Sequence, residues 1–169
     1  MENNGVKYGL LAGLGVIAYS LILYLIDDQM LFGWASSIGT VIYLICMYKA
    51  GVDERQAAGG FITWKEALTP TFLTYVIASL IATVFTYLLF TTIDPGLMDI
   101  QREMAIQQIQ GMEGMIGEEG VEEGIKRIEE QGSMNLRDTS LGFAMMLIVG
   151  FVFAAIISAI VKRNRPAGV

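Results

Sequence analysis

The sequence predicts an all-α fold: a bundle of four transmembrane helices with an extracytoplasmic amphipathic helical insertion between spans three and four. Three observations predict it. The 169 residues are 54% hydrophobic, with a mean hydropathy of +0.54, which is too apolar for an ordinary soluble domain and fits a single integral membrane unit over 1–169. Apolar runs at 8–26, 30–48, 67–93 and 140–161 hold no charged residue, and each reaches the ~20 residues that a helix needs to cross hydrocarbon. The 94–139 segment is instead acidic: its eleven Asp and Glu against four Lys and Arg give −7, while the six acids and seven bases elsewhere give +1.

Each run is read as a helix because a helix satisfies all its backbone polar groups within itself, which lipid demands. Ahead of the first run the only base is Lys7, and no small-x-small cleavage site precedes Asp27, so the run is read as a retained span and not a signal peptide. Lysine and arginine concentrate on the cytoplasmic side of short loops. Lys7 lies before span one, Lys49, Arg55 and Lys65 between spans two and three, and Lys162, Arg163 and Arg165 after span four, whereas the turn "DDQ" has no base. Both termini are therefore expected in the cytoplasm of a bacterial inner membrane, with 94–139 in the periplasm.

Small residues recur at four-residue intervals that let helices approach closely. Gly9 and Gly13 mark span one, Gly33 and Ser37 span two, Thr74, Ala78, Ala82 and Thr86 span three, and Gly150, Ala154 and Ser158 span four. Span three has a marked start. In "FITWKEALTP", Thr63 and Glu66 are spaced as a capping box, Trp64 and Lys65 suit an interfacial first turn, and Pro70 is expected to bend the helix where it enters the membrane.

The "ITWKEA" element, Ile62 to Ala67, and the basic exit "AIVKRN", Ala159 to Asn164, taken with the spacing of the four spans, resemble the domain of unknown function 4199 family. The resemblance covers nearly the whole chain. It implies a small four-span bacterial membrane protein with a variable stretch before the last span, and it supplies no chemistry.

Within the insertion, Asp94, Pro95 and Gly96 are expected to end span three. Met98, Ala105, Ile109, Met112 and Ile116 then fall near one side at helical spacing. Gly117 and Gly120 break that pattern, and Val121, Ile125 and Ile128 form a second stripe, supported by Glu122–Lys126 and Glu123–Arg127 pairs. A helical hairpin results, with Glu118, Glu119, Glu122 and Glu129 left as an acidic face for a basic partner surface.

Chemistry-bearing patterns are scarce. Histidine is absent, Cys46 is the only cysteine, and "GLLAGLG" sits inside a span and not at a phosphate-binding turn. Met112 and Met115 have no thiolate or imidazole beside them for copper, and the glutamates of the insertion lack the alternating ligand pattern of a calcium loop. No catalytic residue, metal or cofactor is expected, the chain is read as a non-enzyme, and a chain without a basic face is no nucleic-acid binder. The expected partners are the lipid bilayer and a membrane or periplasmic protein, with a homo-oligomer as a further arrangement. The leading function class is an accessory or interaction protein; the alternative is a small homo-oligomeric channel or uncoupled carrier.

Overall fold

The computed structural model describes residues 3–130 and 136–164, in which the regular structure is helical apart from one isolated β-bridge. Its helices are α1 (Asn4–Ile26), α2 (Ile38–Ala57), α3 (Trp64–Leu88, prolonged by one π-turn, Leu89–Ile93), α4 (Leu97–Gly111), α5 (Glu113–Glu130) and α6 (Leu136–Val161). By length and composition, four helical segments could span a membrane: Asn4–Ile26, Trp34–Ala57, Trp64–Ile93 and Leu136–Val161.

The burial pattern is the inverse of a water-soluble bundle. Many of the fully enclosed positions are small or hydroxylic, among them Ala12, Ala50, Ala67, Ala78, Thr71, Thr74, Ser79 and Ser158, with Met47, Leu97 and Val161 as the larger exceptions, while Leu25 is 79% and Ile160 66% exposed. With lipid tails as apolar as leucine, large side chains gain little by facing inward, and close approach through small residues holds the helices together. α2 and α3 touch across the middle of the bundle, and α1 and α6 each pack against both of them from opposite sides.

Chain punctuation sets the element limits. The Asn3 side chain accepts the Val6 N–H at 3.3 Å to open α1, and the Asp27 carboxylate accepts the Gln29 N–H at 3.0 Å to open a 3₁₀ turn, Asp28–Leu31. A second 3₁₀ turn, Trp34–Ser37, follows, so the α-helical part of span two begins at Ile38 and not at residue 30. Gly33 and Ser37 consequently do not form a packing seam in α2: Gly33 lies between the two turns and Ser37 is exposed. α2 ends on Gly59 and Gly60, whose φ values of 78° and 90° let their N–H groups return to Gln56 at 3.1 Å and Arg55 at 2.9 Å.

Candidate functional site: the acidic hairpin and its joint to the bundle

Gly9 and Gly13 belong to a longer stripe that begins at Gly5. A Cβ on Gly5, Gly9 or Gly13 would lie 3.0, 2.8 or 3.0 Å from the Cβ of Leu73, Ile77 or Ile81 respectively. Thus α1 lays one glycine under every fourth residue of α3. On α3, Thr74 and Ala78 are buried, Ala82 is half-buried and Thr86 is exposed. The cause is geometric: four residues turn a helix by about 400°, so a strict four-residue series drifts about 40° per step and leaves the interface after a few turns.

Gly150, Ala154 and Ser158 are all buried on α6. The Thr71 and Ser158 hydroxyls lie 2.8 Å apart, and each also bonds the carbonyl four residues back in its own helix, Thr71 to Ala67 and Ser158 to Ala154. Thr74 donates to Pro70 O at 2.8 Å and lies 3.3 Å from Gly5 O on α1. Interhelical hydroxyl bonds of this kind contribute about 0.6 kcal/mol each.

At the end of the bundle carrying Arg163, Thr63 Oγ1 accepts the Glu66 N–H at 3.4 Å and Glu66 Oε2 accepts the Thr63 N–H at 2.8 Å, a reciprocal cap for α3. Trp64 is anchored to the neighbouring helix, its indole N–H donating to Ala155 O at 3.0 Å, while Lys65 is exposed. Pro70 is buried, and the helix continues through it. Contacts between residues distant in sequence, which the sequence does not announce, complete this end. Ile62 and Arg163 exchange backbone bonds of 3.0 and 2.9 Å, Arg55 caps Val161 O at 3.1 Å, Tyr8 donates to Asp53 at 2.6 Å and Asn4 to Glu54 at 2.8 Å.

At the opposite end, the hairpin is jointed to the bundle. Asp94 Oδ2 accepts the Tyr24 hydroxyl at 2.9 Å, its Oδ1 accepts the Gly96 N–H at 3.1 Å, and its own N–H closes the π-turn on Leu89 O at 2.8 Å. Beneath these bonds Leu97 is fully buried with Leu89 and Phe90, flanked by Leu31, Phe32 and Phe85. α5 folds back along α4, where a Cβ on Gly124 would lie 2.9 Å from Ile109 Cδ1.

The reversal differs from the expected break at Gly117 and Gly120. α4 already ends at Gly111, Met112–Ile116 forms a separate turn, and Gly117 with φ 74° redirects the chain into the second part of α5, so Met112 and Ile116 leave the α4 stripe. Val121, Ile125 and Ile128 are half-buried, whereas Glu118, Glu119, Glu122 and Glu129 are exposed. Glu118, Glu122 and Glu129 fall within about 40° of one another around the helix. The Glu123–Arg127 pair forms at 2.7 Å, but Lys126 pairs forward with Glu130 at 4.0 Å and not back with Glu122. Among the described residues, no group of three or more His, Cys, Asp or Glu is placed to hold a metal ion.

Compared with known families, the chain matches the model of a protein family of unknown function, domain of unknown function 4199, over residues 7–163. The chain belongs to that family. Neither the curated proteins nor the solved structures give a match. In this member of the 4199 family the matched stretch runs from the first turn of α1 to the Ile62–Arg163 bridge, and so takes in both ends of the bundle and the hairpin.

Proposed function

We propose that this chain is a non-enzymatic accessory protein of a bacterial inner membrane, with both termini in the cytoplasm, which presents the acidic face of α5 in the periplasm to a basic surface of a partner protein. The observation that carries the reading is the division of α5 into two sides. Val121, Ile125 and Ile128 are half-buried on the side where Gly124 meets Ile109, and Glu118, Glu119, Glu122 and Glu129 are all exposed. A helix whose apolar stripe is already covered by α4 has no need of the glutamates for folding. The seven bases outside the insertion support the orientation, since all of them fall in segments assigned to the cytoplasm.

The channel or carrier reading would require polar groups free to line a path. Thr71, Thr74 and Ser158 give their hydroxyls to helix carbonyls and are fully buried, which favours the accessory reading. The test is replacement of Glu118, Glu119, Glu122 and Glu129 by glutamine. The fold should persist while a salt-sensitive association, captured by periplasmic crosslinking, disappears. Retention of every crosslink of the parent would reduce the acidic face to a solvated surface.

A further inference from the structure

We propose that the tip of the hairpin, Met112, Met115 and Ile116, is the apolar anchor of this partner contact, seated in an apolar pocket with a lysine- or arginine-lined rim on another protein; the inference rests on the accessory reading above. Met115 is 83% exposed, with Met112 at 43% and Ile116 at 42%, at the far end of a hairpin whose other end is the buried Leu97. α4 runs 15 residues from that joint, which places the tip about 22 Å along the helix axis. Ile116 lies over Gly120, where an added Cβ would fall 3.1 Å from its own, and α5 covers α4 through Gly124 and Ile109 only beyond the reversal, so all three side chains keep at least 42% of their surface exposed.

The tip is also preorganised. Met115 and Ile116 both donate their N–H groups to Met112 O, at 2.8 and 3.1 Å, and Gly117 fixes the exit, so binding need not order the turn. Charge decides what covers it. Glu113, Glu118 and Glu119 stand exposed beside the three apolar side chains, in a segment carrying −7 from eleven acids and four bases. An anionic lipid surface repels such a segment, and helices that lie on membranes are basic instead. A second copy would bring the same acids. A protein pocket with an apolar floor and a basic rim answers both features, and flexible methionine thioethers fill such pockets well.

The test places a photocrosslinking amino acid at Met115 of the full-length protein in its native membranes. The expected product is an adduct to one protein, mapped by mass spectrometry to an apolar surface flanked by lysine or arginine. It should weaken about tenfold in the Met112→Ser, Ile116→Ser double variant, while amide exchange across α4 and α5 stays unchanged. Adducts to lipid, to a second copy or to many proteins overturn the proposal. A double variant that keeps the full adduct, while the four-glutamine variant loses it, overturns the anchor and leaves the accessory reading standing. A parent that gives no specific protein adduct at Met115 overturns the anchor, and the accessory reading then stands or falls on the four-glutamine variant alone.

Discussion

Tyr24, in the last turn of α1, donates its hydroxyl to Asp94 at 2.9 Å, so the residue that closes span three and opens the hairpin is held by span one. The same carboxylate accepts the Gly96 N–H, and Leu97 sinks into the cluster below it. The direction of the hairpin is therefore set by one polar bond at the surface and one apolar side chain beneath it.

The two contributions are unequal. Leu97→Ala should destabilise the joint by about 2–4 kcal/mol, because it empties a site that is fully buried. Tyr24→Phe should cost clearly less, since the bond lies at the surface and the Asp94 carboxylate keeps its Gly96 partner. Amide exchange in the first two turns of α4 measures both; equal protection in the two variants would mean that bond and packing contribute alike, and lower protection in Tyr24→Phe that the bond holds the joint.

Gly9→Ala should loosen the bundle by about 1–3 kcal/mol, because its Cβ would fall 2.8 Å from the branched Cβ of Ile77, an atom fixed to the α3 backbone. Gly114→Ala, whose Cβ meets nothing within 4 Å, is the matched control. Thermal unfolding in mild detergent compares them, and a Gly9→Ala variant as stable as the control would place the glycine stripe against lipid.

The four long helices were legible because each contains a long uncharged run, and the start of α3 because Thr63 and Glu66 stand three residues apart in sequence. Gly5 could have been read as well, as the next step back in the Gly9–Gly13 series. Contacts such as Tyr24–Asp94, Tyr8–Asp53 and Arg55–Val161 join residues 45 to 106 positions apart and leave no periodic trace. The site of reversal was misread for a local reason. Gly111, Gly114, Gly117 and Gly120 form a three-residue series in which any member could break the helix, and only the backbone tells that Gly111 ends it while Gly117 takes positive φ.

The topology prediction uses single cysteines in a Cys46→Ala background. Cysteines at Gln29 and Met115 should react with a membrane-impermeant maleimide once the outer membrane is permeabilised, and those at Gln56 and Lys162 should not. All four positions are exposed, so access to reagent and not burial decides the outcome. The reverse labelling pattern would turn the protein over in the membrane and place the acidic hairpin in the cytoplasm.

The tightest approach between α3 and α6 gives the last prediction. Tyr75 lays its ring against Gly150 so closely that a Cβ there would fall 2.0 Å from one ring carbon and 2.1 Å from the next. The ring is also hemmed in by Tyr43, 5.4 Å away between centroids, and by Ala154 in the same buried cluster. It cannot swing aside without disturbing two helices, so Gly150→Ala should cost about 1–3 kcal/mol by overpacking. Tyr75→Leu alone should also destabilise, through lost ring contacts with Tyr43 and the cluster. Combined, the two changes should do less damage than their sum, because the smaller side chain makes room for the added methyl. Thermal unfolding of the parent, both single variants and the double variant completes the cycle. Strictly additive losses would mean that Gly150 is required for backbone reasons alone and that the ring does not set the distance between α3 and α6.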